Sequence, residues 1–187
     1  ATGIVNVSGT QVRCTSPAKS AGTISVTATT PNGTSGGVNY TYTGGDTYYT
    51  NTLNAVADSF VRLTDANKNW GTTTNIIIQK NLAPWNDVGY FKFDLGSVQG
   101  TTITSAKFRF YRFNGGAATT VKAYSCATDT WIESGTGSIT WNNKPAWGTQ
   151  QATMSLPSTG WGEATLTSYI NANFNGDKLV TIVLMDD

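Results

Sequence analysis

Lysine, arginine and tyrosine recur at alternate positions of three apolar segments, residues 89–95, 104–113 and 119–126. Side chains two residues apart on a strand share a face, so these polar groups lie opposite the apolar ones. Guanidinium and ammonium groups bind carboxylates and sulfates, while aromatic rings can stack on sugar rings. The pattern therefore predicts a surface for an anionic polysaccharide, formed by Lys92, Lys107, Arg109, Tyr111, Lys122 and Tyr124.

Two more cations, Arg62 and Lys80, lie in earlier predicted strands and extend this surface if those strands are neighbours of the other three. A second interpretation is open, because outward lysines and arginines often only keep a strand soluble. Consecutive strands of a sandwich also often belong to opposite sheets. If the cations line one sheet together with a tyrosine, a binding surface is favoured. If they lie on two faces, a structural module is favoured.

Tryptophans are the other candidates for contact with a sugar. Trp85 follows Pro84 in a predicted polar loop, residues 81–88, and has no evident apolar partner. We predict that it stacks on a ligand, with packing against the preceding spacer as the alternative. The remaining tryptophans are expected to pack under loops (Trp131, Trp141, Trp147) or are undecided (Trp70, Trp161).

Catalytic chemistry has little support. The chain has no histidine, which removes the commonest general base, most nucleophilic triads and the usual zinc ligand. Glycoside hydrolysis needs two facing carboxylates, and Asp129 and Glu133 on either side of Trp131 are the nearest approach to such a pair. We expect both acids to be turn and cap residues. The sequence therefore predicts a protein that is not an enzyme.

Residues 65–71 place oxygen-bearing side chains at alternate positions, Asp65, Asn67 and Asn69. This spacing resembles the start of a calcium loop, in which such side chains converge on one hard cation. The glycine comes one position late, at Gly71, and no glutamate follows at the twelfth position. Structural Ca²⁺ is one hypothesis for this segment, and a turn rich in Asn and Asp without metal is the other.

The composition indicates which elements carry these residues. Charged residues make up only 12% of the chain, which instead is rich in Thr, Ser, Asn and Gly. Thr and aromatic residues favour strands and Gly and Asn favour turns, so we predict an all-β fold. A net charge of +1 gives no electrostatic basis for binding nucleic acid or membrane, and no apolar run is long enough for a spanning helix. Cys14 and Cys126 are expected to be buried, unpaired thiols.

Short alternating segments, separated by turn residues, recur along the chain and predict a β-sandwich. Residues 1–44 hold three candidate strands, with a hairpin-type turn at residues 30–33, and residues 45–54 are a predicted linker. Residues 55–187 hold eight candidate strands and at most one helical turn, near residues 166–171, which favours a jelly roll. The strands are predicted at 57–63, 75–80, 89–95, 104–113, 119–126, 150–156, 160–166 and 179–185, with Phe91, Phe93, Phe108 and Phe110 in the core.

The first 44 residues contain the stretches TQVRCTSPA and GTISVTATTPNGTSGGVNYTY. Together they resemble the C-terminal half of an IPT/TIG domain, a family with an immunoglobulin-like fold. The resemblance implies a partial immunoglobulin-like β segment that spaces or orients its neighbours and has no binding site of its own.

Residues 57–187 contain four ordered stretches: ADSFVRLTDANKNWGTTTNIIIQK, GYFKFDLGSVQGTTITSAKFRFYRF, VKAYSCATDTWIESGTGSITWNNKPAWG, and ATLTSYI followed by NGDKLVTIVLMDD. They resemble the DNRLRE-type modules of carbohydrate-binding module family 96. The resemblance implies a secreted bacterial module, extracellular or at the cell surface, that tethers a polysaccharide lyase or glycosidase to its substrate. Such modules accompany alginate lyases, so an alginate-like anionic polysaccharide is the expected ligand. A stalk or adhesion module without a glycan site is the alternative.

Members of that family ordinarily continue with one more strand after the equivalent of Asp187. We therefore expect one sheet edge to be open or to be filled by the N-terminal segment.

Overall fold

The computed structural model describes residues 2–17, 19–43, 48–82, 85–114 and 116–186, and the side chains of residues 80–82 and 85 lie outside this description. The chain divides into two compact units, Ala1–Tyr48 and Tyr49–Asp187. Strands dominate both units, so the predicted all-β fold is confirmed.

Six strands form the described part of the smaller unit: β1 (Thr2–Ser8), β2 (Gln11–Thr15), β3 (Gly22–Val26), β4 (Thr29–Thr30), β5 (Gly33–Thr34) and β6 (Val38–Tyr42). They pair as β1–β2, β3–β6 and β4–β5, all antiparallel. The predicted turn joins β4 to β5, and Gly33 there has a φ of 136°, which only glycine adopts readily. β1 has no counterpart among the predicted strands. The likeness of this unit to an immunoglobulin-like spacer stays a prediction.

Eight strands and one α-helix form the described part of the larger unit: β7 (Ala57–Arg62), β8 (Gln79–Leu82), β9 (Trp85–Asp94), β10 (Lys107–Arg112), β11 (Thr119–Cys126), β12 (Trp147–Leu156), β13 (Gly160–Thr165), α1 (Thr167–Phe174) and β14 (Leu179–Met185). Eight strands were expected, but β8 begins later than predicted, β12 begins earlier, and α1 has two turns rather than one. The predicted polar loop at residues 81–88 is largely strand, since β8 ends at Leu82 and β9 begins at Trp85.

The larger unit has two layers. Six strands form one sheet in the order β12–β11–β14–β9–β7, with β8 paired to β9. β10 and β13 form a separate antiparallel pair. We call the first layer the six-stranded sheet and the second the ribbon.

The main core lies between these layers. Phe91 and Phe108 are buried, and Phe93 and Phe110 pack against them. The rings of Phe91 and Phe108 are 5.4 Å apart between centroids, a separation typical of favourable aromatic pairs. The four phenylalanines predicted for the core from strand alternation are therefore confirmed.

A second core covers the other face of the six-stranded sheet, and here the prediction from alternation is wrong. Tyr90, expected to point outward, is 0% exposed and packs with Val61, Val183 and Trp131. The loop between β11 and β12 covers it, and the Tyr90 hydroxyl donates to the carbonyl of Pro145 at 2.9 Å. A polar side chain can be buried when its hydrogen bond is satisfied in this way. The polar hydroxyl of Tyr90 therefore does not indicate that this face of the sheet is exposed to solvent.

Two residues make close contacts between elements of the larger unit, Gly162 and Tyr169. Gly162 of β13 lies so near β12 that a Cβ atom would be 2.2 Å from Leu156 Cδ2, so any larger residue would displace this buried side chain. The Tyr169 hydroxyl of α1 accepts from the Cys126 amide at 3.2 Å and donates to the Thr181 carbonyl at 2.8 Å. It therefore bridges β11 and β14 just past Tyr124, the last residue of their direct pairing.

Cys14 is exposed, which corrects the prediction that it is buried, and Cys126 is half-buried. Neither forms a disulfide within the described residues. The helix α1 has eight residues, and no described helix is long and apolar enough to cross a membrane.

Candidate functional site

The ribbon turns one face away from the core. Phe108 and Ala164, paired in register, point inward and are buried, so the residues that alternate with them point outward. On that outward face Arg109 is paired with Glu163, and Tyr111 with Trp161. We call this set the ribbon platform: Lys107, Arg109, Tyr111, Trp161 and Glu163.

The platform combines a cation with two aromatic rings. The guanidinium carbon of Arg109 is 4.6 Å from the centroid of the Trp161 ring. Tyr111 meets the same indole edge-on, with centroids 5.2 Å apart. Trp161 is 55% exposed and Tyr111 is 46% exposed, so their rings remain accessible to solvent. Adjacent exposed aromatic rings beside an arginine offer both a stacking surface and a donor for an anionic group.

Glu163 holds the two platform cations in place. One carboxylate oxygen lies 3.0 Å from Lys107 Nζ, and the other lies 2.9 Å from Arg109 Nε. The hydrogen bond from Lys107, together with the two positive charges, lowers the pKa of Glu163. The carboxylate is therefore ionised at neutral pH, and the three charges sum to +1.

A groove of about 500 Å³ lies beside the platform. Lys107, Arg109 and Trp161 line it, as do residues 49 and 51–54. Its floor is apolar and includes Val180 and Ile182. We call it the edge groove.

Residues 49–187, which include the ribbon platform and the edge groove, match the profile of carbohydrate-binding module family 96. The chain belongs to this family. No curated protein matches the chain. As a family 96 member, the protein is a non-catalytic carbohydrate-binding module whose ligand is a polysaccharide, which confirms these parts of the sequence prediction.

Within this family 96 module, Lys92 lies away from the platform, under the loop that covers the second core. Its Nζ donates to the carbonyl of Trp131 and lies 4.6 Å from the centroid of the Trp131 ring. Burial lowers the pKa of Lys92, while the nearby charge of Asp129 acts in the opposite direction. These contacts give Lys92 a structural role in holding the loop.

The predicted single surface is divided between the two layers. Lys122 and Tyr124 lie in β11 of the six-stranded sheet, whereas Arg109 lies on the ribbon. Lys122 is on the same face of its sheet as Lys92, because their partners on β14, Met185 and Thr181, are four residues apart. The structure therefore groups Lys107, Arg109 and Tyr111 with Trp161, and places Lys92 and Lys122 on the other layer.

Arg62 forms an ion pair with a buried carboxylate of the protein. Its Nε and one terminal nitrogen donate to the Asp87 carboxylate at 2.7 Å and 3.0 Å, and the Asp87 side chain is fully buried. Removing either partner would leave a buried charge unpaired, which is strongly destabilising. The side chains of Lys80 and Trp85 lie outside the described residues, so their predicted contact with ligand stays a prediction.

The side chains of the candidate calcium loop have protein partners. Asp65 forms an ion pair with Arg62 at 3.9 Å, and Asn67 Oδ1 accepts from Asn142 at 2.7 Å. Asn69 donates to the carbonyls of Glu133 and Ile139, and its Oδ1 accepts from the Gly71 amide. These bonds fix the loop as a turn, and calcium binding stays a prediction.

The loop that covers the second core also contains the acidic pair considered for catalysis. One oxygen of Asp129 is buried with no hydrogen-bond partner among the described residues. Glu133 contributes its backbone carbonyl to Asn69. Among the described residues no three His, Cys, Asp or Glu side chains form a group suited to a metal.

Two platform residues, Trp161 and Glu163, are missing from the sequence prediction of the site. The signal for them is present in residues 160–166, where small or apolar Gly162, Ala164 and Leu166 alternate with the other side chains. That alternation assigns Trp161 outward. Among the three tryptophans expected to pack under loops, Trp131 is buried and Trp141 is half-buried, but Trp147 is exposed.

Proposed function

We propose that this module binds an anionic, uronate-containing polysaccharide such as alginate on the ribbon platform. In doing so it would hold an appended polysaccharide lyase or glycoside hydrolase, secreted by a bacterium, close to its substrate. One observation carries the proposal: the Arg109 guanidinium lies on the exposed Trp161 indole, with Tyr111 beside it.

The chemistry of the platform suits a uronate. A sugar ring has an apolar face that packs on an indole, while its carboxylate accepts hydrogen bonds from a guanidinium. Glu163 contacts Nε of Arg109, and no other hydrogen bond or ion pair of this guanidinium is found within the described residues. Its terminal nitrogens are therefore available to form a two-pronged contact with a carboxylate.

The test is retention of the purified chain in gels that contain alginate or a neutral glucan, over a series of salt concentrations. Alginate should retain the wild type, and salt should weaken that retention, because exposed ion pairs are screened within about 8 Å at physiological ionic strength. Arg109→Ala should weaken binding about fivefold, with Arg109→Lys in between. Tyr111→Ala should weaken binding without changing the salt dependence.

A matched control is Arg13→Ala, which removes the same charge from the exposed surface of the smaller unit. It should leave retention unchanged. Salt-independent retention in the neutral glucan, unaffected by Arg109→Ala, would refute the anionic ligand and direct attention to Trp85 and the loops.

A structural stalk or adhesion module is the second candidate. The observation that favours it is the division of Lys92, Arg109 and Lys122 between two layers. This role predicts that neither polysaccharide retains the chain, even at low salt.

A further inference from the structure

A second cluster of aromatic rings around a cation lies at the start of β12, at the edge of the six-stranded sheet. Lys144 Nζ is 3.9 Å from the centroid of the Trp141 ring and 5.6 Å from that of Trp147, and it donates to the Trp141 carbonyl at 2.8 Å. Trp147 is 37% exposed. We call Trp141, Lys144 and Trp147 the indole–lysine cluster.

Hydrogen bonds fix the loop that carries this cluster at several points along its length. Asn143 accepts from the Thr140 amide and hydroxyl at 2.6 Å and 3.0 Å, and donates to the Ser138 carbonyl. Farther along, the Pro145 carbonyl accepts from Tyr90, and the Ala146 carbonyl accepts from the amide of Ala127. The rings and the ammonium group are thus held in place before any ligand arrives, which reduces the entropy lost on binding.

The cluster continues into a row of polar side chains on the same sheet. In the pairing of β11 with β12, Cys126 is opposite Trp147, Tyr124 is opposite Gln150, and Lys122 is opposite Thr153. From residue 126 to residue 122 the row is about 13 Å long, at roughly 3.3 Å per residue. An indole, a phenol, an amide and two ammonium groups along this length match the requirements of a polysaccharide segment.

We infer that this row is a second polysaccharide-binding site, so that one module binds two chains or two segments of one chain. The ribbon platform lies on the other layer, and the main core separates the two surfaces. The inference rests on the proposed function, because both sites are assigned the same anionic polymer. Lys144 and Lys122 would bind its carboxylates, and Trp147 would stack on its rings.

The first test is the number of short alginate oligouronates bound per chain, measured by isothermal titration calorimetry. The wild type should bind two, and Trp147→Ala and Trp161→Ala should each bind one, because each removes the exposed indole of one site. Lys144→Met keeps much of the side-chain volume and should also remove one site. Lys68→Met is the matched control, because Lys68 also lies on an indole, 3.7 Å from Trp70, but Trp70 is half-buried and stacked on Phe60. It should leave both sites intact.

The second test is cross-linking of long alginate chains, followed by light scattering. Wild-type protein should cross-link them, while each single-site variant should be retained in an alginate gel without cross-linking. One oligouronate per wild-type chain, unchanged by Trp147→Ala, would overturn the second site and leave the proposed function standing. Loss of all binding in Trp147→Ala, with both sites kept by Trp161→Ala, would instead remove the ribbon platform from the proposed function. No binding by the wild type would overturn both.

Discussion

Two cation–indole pairs in this module have the same spacing and opposite surroundings. Lys92 lies 4.6 Å from the Trp131 ring, and Arg109 lies 4.6 Å from the Trp161 ring. Trp131 is 6% exposed, under a loop, whereas Trp161 is 55% exposed on the ribbon. A cation on an indole is therefore not itself the mark of a binding site. The burial of the indole distinguishes a contact that stabilises the fold from one that a ligand can reach.

The largest expected difference between the two pairs is in stability. Trp131→Ala should lower the free energy of unfolding by about 3–5 kcal/mol, because it leaves a cavity in the second core and removes the indole donor to Thr181. Trp161→Ala should change it by no more than about 0.5 kcal/mol. Chemical denaturation measures both, and similar losses for the two variants would contradict the comparison.

The half-buried cation Lys92 should make stability depend on pH. Burial lowers the pKa of Lys92 below its unfolded value of about 10.4, so between the two values the unfolded chain binds more protons. The wild type should therefore gain stability relative to Lys92→Met as the pH rises from neutral through that interval. Arg109→Met is the control, because it removes a cation from the exposed ribbon and leaves the second core unchanged. A flat difference between the wild type and Lys92→Met would show that Lys92 is fully solvated.

For the exposed pair, Arg109 and Trp161, the expected effect is on the affinity for ligand. Glu163→Gln removes the carboxylate that faces Lys107 and Arg109, which raises the platform charge from +1 to +2. Affinity for alginate should rise about two- to fivefold at low salt, with a steeper loss as salt is added. Glu133→Gln makes the same change away from the platform and should have no effect on retention. Weaker binding by Glu163→Gln would mean that the carboxylate itself contacts the sugar.

The smallest effect is expected from calcium, because Asn67 and Asn69 already use their oxygens within the protein. If residues 65–71 bind the ion, a chelator should lower the melting temperature, and Asp65→Ala should abolish that shift. An unchanged melting temperature would leave the segment as an ordinary turn.

Strand alternation predicted one face of the sandwich well and misjudged the other. Phe91 and Phe108 follow it because a face between two layers must be apolar. Tyr90 does not, since a loop far along the chain supplies a partner for its hydroxyl, and a period of two residues carries no information about such a cover. The outward position of Trp161 could have been predicted, because small residues alternate with it.

The division of the cations between layers could not have been predicted from spacing. Lys92, Arg109 and Lys122 occupy equivalent positions in consecutive segments, and only the pairing of β10 with β13 rather than with β9 separates them. That choice depends on contacts distant in sequence, such as the fit of Gly162 against β12.

The tyrosine that bridges β11 and β14 has a consequence for hydrogen exchange. The Cys126 amide donates to the Tyr169 hydroxyl rather than to a neighbouring strand, so its protection depends on the docking of α1. The Tyr124 amide, by contrast, lies where β11 is paired on both sides. Undocking of the helix would let the Cys126 amide exchange with solvent deuterons while the sheet stays closed. The ratio of these two exchange rates would report on the helix alone, separately from global unfolding.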